Sequence, residues 1–336
     1  MMIARFFRPC PTDLPRRRSL AALAGAAALC AVSLPAQAAY PERPVHIVVG
    51  FAAGGPSDVL ARALGQKLQT QTGQPFIVDN KPGAGTNLAA DVVAKSPADG
   101  YTLLLMMVGT QAINEALYPK LSYNTVKDFA PITLTASSSL TLVANPKVPV
   151  KNFQELVAYA KANPGKLNFA SSGTGTPLHL GGELLNHRAG IKLVHVPYKG
   201  AVPALNDVLG GQVELAMIGT PAGLQFIKAG KLNAIGVTSA KRDPSAPNIP
   251  AIAEFLPGFE VELVYSMVAP AATPKDVITR LNGEIIKALH DKEVGDRLQA
   301  QGFEVRTSTP EQLGEYIKAE IAKWAPIVKA SGAKPE

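Results

Sequence analysis

Val45-His46-Ile47-Val48-Val49-Gly50-Phe51-Ala52-Ala53-Gly54-Gly55-Pro56-Ser57-Asp58 passes from a β-branched apolar run, through a glycine loop, into a polar helix start. A strand apolar on both faces belongs inside a parallel sheet covered by helices. Pro56 suits a first helical turn, where its missing N–H costs no helical bond. The pattern continues with a helix from about Ser57 to Thr70, a strand at Phe76-Ile77-Val78-Asp79 and the loop Gly83-Ala84-Gly85. A helix from Asn87 to Ala94 and a strand from Tyr101 to Met107 complete a βαβαβ opening, the signature of a doubly wound α/β sheet with right-handed crossovers.

A second alternating series comes after Asp128-Phe129-Ala130-Pro131. Strands are predicted at Leu140 to Ala144, Leu167 to Ala170, Val194 to Val196, Leu215 to Ile218 and Asn233 to Thr238. Helices are predicted at Phe153 to Ala162, Leu178 to Arg188 and Val202 to Leu209. An extended apolar segment, Val261 to Val268, precedes helices at Lys275 to Leu289, near Val294 and at Pro310 to Ala330. Two series of βα units imply two lobes with a cleft between them. By pattern alone the helices after Thr273 can pack on either lobe.

Working backwards from Val45, residues 1–38 read as a signal peptide. Arg5, Arg8 and Arg16-Arg17-Arg18 form a basic leader, Ser19 to Leu34 is uncharged and apolar, and Pro35-Ala36-Gln37-Ala38 offers a cleavage pattern. Arg17-Arg18-Ser19-Leu20 leaves both the general and the twin-arginine export routes open. Both cysteines, Cys10 and Cys30, lie in this leader, so disulfides, thiolate metal sites and cysteine nucleophiles are not expected in the mature chain. The leader holds five arginines and one aspartate of the chain's 33 basic and 26 acidic side chains, leaving 28 against 25. That balance gives no case for nucleic acid or a membrane surface.

Three glycine-rich loops join strands to helices: Gly54-Gly55-Pro56-Ser57-Asp58, Gly83-Ala84-Gly85-Thr86-Asn87 and Ser171-Ser172-Gly173-Thr174-Gly175-Thr176-Pro177. Ligands of open α/β sheets bind at the carboxyl ends of strands, where helix N-termini present unpaired N–H groups. A carboxylate there gains about 0.3–2 kcal/mol from the helix dipole, and each charge-assisted hydrogen bond adds about 1.5–3 kcal/mol. Phosphate is the rival anion. Gly50 to Ser57 matches the P-loop spacing, but Pro56 stands where its lysine belongs; Leu88 occupies the third-glycine position of a dinucleotide fingerprint. Neither nucleotide nor any other cofactor is expected.

Catalysis finds little support. There is no Gly-x-Ser-x-Gly elbow and no close carboxylate pair in these loops. His179, Glu183 and His187 recur every four residues, but the two histidines stand about 12 Å apart along a helix, too far to share a metal. No metal site is expected. Asp58 is favourable in a first helical turn without any catalytic role. In Tyr198-Lys199-Gly200 a phenol and an ammonium stand ready for a second carboxylate.

These loops also carry a resemblance. Gly54-Gly55-Pro56-Ser57-Asp58, Asn80-Lys81-Pro82-Gly83-Ala84-Gly85, Asp99-Gly100-Tyr101-Thr102-Leu103, Asp128-Phe129-Ala130-Pro131-Ile132, Gly175-Thr176-Pro177-Leu178-His179-Leu180 and His195-Val196-Pro197-Tyr198-Lys199-Gly200 fall in one order. It resembles that of the tripartite tricarboxylate transporter receptors, the Bug (TctC-like) family. The resemblance implies a two-lobed periplasmic binding protein of type II-like fold, with two doubly wound sheets and two crossovers. Lobe 1 is then 39–140 plus 264–336, and lobe 2 is 141–263.

It also implies a monomeric, non-enzymatic receptor that captures a small organic carboxylate for membrane permease subunits, without nucleic acid; a kinase-coupled sensor and a hydrolase or lyase are the alternatives. Carried over by position, the ligand-facing residues are Phe51, Ala53, Gly54, Gly55, Ser57, Asp58, Thr86, Asn87, Thr110, Ser172, Thr174, Gly175, Thr176, His179, Tyr198, Lys199, Gly200 and Asp207. Ala52 departs from a frequent proline, Ser57 from threonine, and Thr86 and Ala89 from glycines. The apolar run Met106-Met107-Val108 suggests room for an aliphatic or aromatic ligand body.

Overall fold

Strand β1 (Val45–Val49) lies between β2 (Phe76–Asn80) and β3 (Thr102–Met107), parallel to both. Val45, Ile47 and Val49 are fully buried. The helix after β1 is α1 (Pro56–Thr72), with Pro56 in its first turn and Gly73 in the left-handed conformation at its end, donating its N–H to Gln69 O. That pairing of proline at the start and glycine after the end is the usual way to punctuate a helix. Helices α2 (Asn87–Ala94) and α3 (Val108–Leu117) come after β2 and β3.

The computed structural model describes residues 40–334. The expected leader and both cysteines lie outside the described residues. The chain divides into residues Met1–Glu42 and the unit Arg43–Glu336, and every strand and helix named belongs to the latter. Among the described residues no helix is long and apolar enough to cross a membrane.

The remaining elements are β4 (Phe129–Ala144), α4 (Phe153–Ala162), β5 (Asn168–Ser171), α5 (Pro177–Ala189), β6 (Val194–Pro197), α6 (Ala201–Gly210), β7 (Leu215–Gly219), α7 (Thr220–Lys228), β8 (Asn233–Val237), β9 (Glu262–Pro270), α8 (Lys275–Leu289), α9 (Lys292–Ala300), β10 (Glu304–Val305) and α10 (Pro310–Ser331). The strands form one continuous path rather than two separate sheets, because β4 belongs to both halves. Its residues 129–139 pair with β9, whereas Leu140 to Ala144 pair with β7.

One order occurs twice. The first half runs β2-β1-β3-β9-β4 and the second β6-β5-β7, then β4, then β8. In each half the strand next to the third is antiparallel to it and connects to the other half: β9 beside β3, and β4 beside β7. These two strands are the crossovers of a periplasmic-binding-protein fold. Each half has its own core, with Val48, Leu104, Met106 and Val264 in one and Val143, Ala170, Val208 and Ile218 in the other.

The closing helices lie on the first half. Gln71 of α1 donates to Glu284 of α8 (2.8 Å), and Lys67 pairs with Asp291 (2.5 Å). Asn282 donates to Ile132 O on β4 (2.8 Å), and Leu313 and Ile317 of α10 join the first core. Helices α3 and α7 and the first eleven residues of β4 are elements that the sequence pattern did not announce.

Candidate functional site

The first loop leaves β1 at Gly50 and enters α1 at Pro56. Gly50 has no room for a side chain, since a Cβ there would stand 2.6 Å from Thr86 Cβ, so the first and second loops are packed together at their base. Asp58, only 3% exposed, holds the loop's far end: its Oδ2 accepts from Gly54 N–H (2.9 Å) and from Arg62 Nε (2.9 Å). Arg62 also donates to Asn80 Oδ1 (3.1 Å), and Asn80 Nδ2 donates to Phe51 O (3.0 Å). Burial pushes the Asp58 carboxyl up, but the hydrogen bonds from Arg62, Gly54 and Asn80 outweigh it and leave the group below its ordinary range. Asp58 therefore acts as the anchor of the loop, and Ser57 is buried beside it.

In the second loop Ala84, Gly85 and Thr86 all have positive φ, at 47°, 60° and 75°. Two of these are not glycine, and each costs about 1–2 kcal/mol. A buried polar network supports them. Gln111 donates to Thr86 Oγ1 (2.9 Å), and Asn114 donates to Gly85 O (2.8 Å) and Asn87 Oδ1 (2.7 Å). The Tyr123 hydroxyl reaches both Asn87 Oδ1 (2.6 Å) and the Gln111 amide oxygen. Asn87 is thus committed to the loop's support. Burial raises the Tyr123 phenol well above its ordinary range, keeping it a neutral donor.

The third loop is tied from below. Thr176 caps α5, accepting from His179 N–H (3.3 Å) and donating to Gly173 O (2.8 Å). His179 Nδ1 accepts from Gly175 N–H (3.1 Å). Its ring stacks on His195, centroids 3.9 Å apart, and His195 Nε2 meets Ser171 Oγ at 2.7 Å. Burial lowers His179 to about 4; burial and then the neighbouring His179 lower His195 to about 3. Both rings are neutral near pH 7, which leaves His179 Nδ1 free to accept. Gly175, with φ +76°, presses on α3: a Cβ there would lie 2.2 Å from Leu117 Cδ2. Ser172 and Thr174 are the loop's partly accessible residues.

Tyr198 donates to Asp207 Oδ2 at 2.6 Å, and burial, then the Asp207 hydrogen bond and charge, push its phenol up to about 12. These two residues satisfy one another across the start of α6. Lys199 is exposed, and Gly200 caps α6 with φ 117°. Thr110 is buried, its hydroxyl 3.1 Å from Met107 Sδ. Met106, Met107 and Val108 are at most 9% exposed, and Met106 and Val108 sit in the first core. The expected room for a ligand body beside them is therefore filled by packing.

Of the residues singled out from the sequence, Gly54 and Gly55 line a cavity of about 340 Å³. Its other walls come from Pro56 and Val59, from Ala201, Val202 and Leu205 of α6, from Pro221, Ala222, Leu224, Gln225 and Lys228 of α7, and from Ala300, Gln301 and Phe303. The starts of α1, α6 and α7 thus open on one space, and Val59, Val202, Leu205 and Leu224 make it largely apolar. A larger cavity of about 670 Å³, between Ser137–Ser139, residues 239–245 and residues 289–306, contains none of the expected site residues. Among the described residues no group of three or more His, Cys, Asp or Glu is placed to hold a metal.

Arg62, Asn80, Gln111, Asn114 and Tyr123 were not singled out as site residues: Arg62 supports the first loop through Asp58 on its own helix, and the other four act on loops distant from them in sequence. A faint signal existed for two of them: Gln111 and Asn114 stand three apart after an apolar strand, on one helix face.

A family model described as tripartite tricarboxylate transporter family receptor matches residues 60–333. The protein BugT of Bordetella pertussis is 38% identical over 320 residues, 94% of this chain and 98% of that one. Among solved structures, the periplasmic binding protein BugD superposes with a TM-score of 0.82 at 38% identity, covering 88% of this chain and 100% of that one. An R. palustris protein solved with adipate gives 0.84 at 34% identity, with coverage of 88% and 100%. MatC from Rhodopseudomonas palustris with bound malate gives 0.79 at 34%, with coverage of 86% and 100%. Anchored glycine loops at the carboxyl ends of β1, β2 and β5, a doubled strand order and these matches agree: the chain belongs to the tripartite tricarboxylate transporter receptor family, the Bug (TctC-like) periplasmic solute-binding proteins.

Proposed function

We propose that this receptor captures a small organic carboxylate where the Gly54–Gly55 backbone meets the starts of α6 and α7, and hands it to the membrane subunits of a tripartite permease. The cavity of about 340 Å³ on which the first loop and three helix starts open carries this reading. Helix N-termini attract anions, and relatives of 34% identity were solved with adipate and malate. Phe51, Ala53, Thr86, Ser172, Thr174 and Gly200 complete the loops around the carboxylate, with Thr110 of α3 buried behind them. Ser57, Asp58, Asn87, Gly175, Thr176, His179, Tyr198 and Asp207 hold those loops in place, and Lys199 is left at the rim.

The protein acts as an exported monomer in the periplasm, released from its leader, and performs no chemistry on the ligand. Its two halves close as lobes (39–140 plus 264–336 against 141–263), turning about β4 near Ser139-Leu140 and about Val261-Glu262, where pairing passes from one half to the other.

Calorimetric titration of the mature protein with adipate and malate tests this reading. At least one acid is expected to bind one-to-one with micromolar affinity, about −8 kcal/mol. Gly55→Val abolishes that heat while the circular dichroism stays native, because a Cβ at Gly55 has Ala52 O at 3.5 Å as its nearest neighbour. Unchanged affinity in Gly55→Val sinks the site assignment.

A further inference from the structure

The cavity on which Gly54 and Gly55 open is lined along one side by α7, through Pro221, Leu224, Gln225 and Lys228. Those positions form one helix face. Lys228 is the only charged residue among those lining the cavity. It is exposed and makes no ion pair among the described residues. We infer that Lys228 is a specificity-determining residue that reads a second carboxylate, and that the ligand is a linear dicarboxylate with an apolar spacer. This inference rests on the first loop holding the first carboxylate.

The length comes from the helix. Pro221 lies beside the first loop: a Cβ on Gly219, two residues before it, would stand 3.8 Å from Pro56 Cγ and 3.9 Å from Pro221 Cδ, and both prolines line the cavity. Lys228 is seven residues further, a rise of about 10 Å. Helical side chains lean towards the N-terminus of their helix. The Lys228 ammonium therefore leans back along the cavity and shortens the gap between the two carboxylates to about 6–9 Å. An extended chain with C–C bonds of about 1.5 Å advances about 1.3 Å per bond, so five to seven bonds between carboxyl carbons span it. That corresponds to adipate, pimelate and suberate rather than succinate. Val59, Val202, Leu205 and Leu224 wall most of the interval and favour an apolar spacer, with Gln225 and Gln301 the uncharged polar side chains of the lining.

The experiment compares pimelate, heptanoate and succinate by calorimetry on the mature wild type, on Lys228→Met and on Gly55→Val. The wild type binds pimelate about tenfold more tightly than heptanoate, the worth of a single charge-assisted hydrogen bond, and more tightly than succinate. Lys228→Met removes the preference for pimelate over heptanoate and leaves heptanoate affinity within about twofold, because an exposed methionine at the helix end alters neither the loops nor the core. An unchanged pimelate-to-heptanoate ratio in Lys228→Met overturns the role of Lys228, as does equal wild-type affinity for the two acids. No wild-type binding of pimelate, or tighter binding of succinate, overturns the assigned length. Gly55→Val separates the two readings. If it leaves pimelate binding intact, the first-loop site itself is wrong; if it abolishes binding while Lys228→Met changes nothing, only the second-carboxylate reader is wrong.

Discussion

Acid weakens this protein through two stacked imidazoles before it protonates most carboxylates. His179 and His195 are buried rings 3.9 Å apart, one accepting from Gly175 N–H and the other meeting Ser171 Oγ. Burial lowers their values from 6.5 to about 4 and about 3. Between those values and 6.5 the unfolded chain binds protons that the folded chain refuses. Stability from this pair is therefore fully present above pH 6.5 and is lost as pH falls towards 4 and then 3. At pH 5 the loss is on the order of 2 kcal/mol per ring, or about 4 kcal/mol for the pair.

Glu183, 3.9 Å from His179 Nε2 and raised by its burial, works in the opposite sense and offsets a part of this. Urea unfolding from pH 8 to pH 5 measures the effect. Free energies are expected to be level from pH 8 to about 6.5 and to fall below that by several kcal/mol. His179→Asn keeps an acceptor for Gly175 N–H and removes about half of the pH dependence. A wild-type stability that stays level down to pH 5, or an unaltered slope in His179→Asn, refutes the buried neutral pair.

Other consequences concern the loops. Gly175→Ala forces a Cβ to within 2.2 Å of Leu117 Cδ2 at a left-handed residue; a loss of about 2–5 kcal/mol in chemical denaturation is expected from strain and overpacking together. Gln111→Leu leaves Thr86 Oγ1 and the Tyr123 hydroxyl each short of a partner. It should cost about 1–3 kcal/mol and speed amide exchange at residues 84–87. Asp58→Asn weakens the link from Arg62 to Gly54 N–H. It should reduce ligand affinity through a slackened first loop while Tm falls only modestly, as titration calorimetry beside thermal unfolding will show.

Periodicity and punctuation made most of the fold readable. Val45 to Val49 carries four β-branched residues around His46, and Pro56 and Gly73 bracket α1. Thr176-Pro177 likewise announces α5. Two kinds of element escaped. Residues 129–139 of β4 include Pro131 and the buried polar residues Thr133, Thr135 and Ser137 to Ser139; Ile132 to Ser137 alternates with the strand period and was a usable signal, masked by Pro131 and the serine run. Helix α3 begins at Val108 directly from a strand with no side-chain cap, so no break separated it from the apolar run of β3. For α7, Thr220-Pro221 was a usable start signal.

The site divides in the same way. Glycine loops are local and visible, as are Asp58 and Thr176 at helix starts. What holds them is not local: Arg62 to Asn80 spans 18 residues, Asn114 to Gly85 spans 29 and His195 to Ser171 spans 24. Only the folded chain brings such pairs together. Lys228 belongs here too, since nothing beside it in the sequence marks the cavity it borders.

Both the receptor function and the role of Lys228 depend on a carboxylate seated on the first loop. Backbone amide shifts of the isotopically labelled mature protein, recorded during titration with adipate, address that seat directly. Saturable shifts are predicted at Gly54, Gly55 and Ala201, reaching completion at one equivalent. Saturation with those amides unmoved, and the shifts gathered instead around Ser137–Ser139 and residues 239–245, would contradict it.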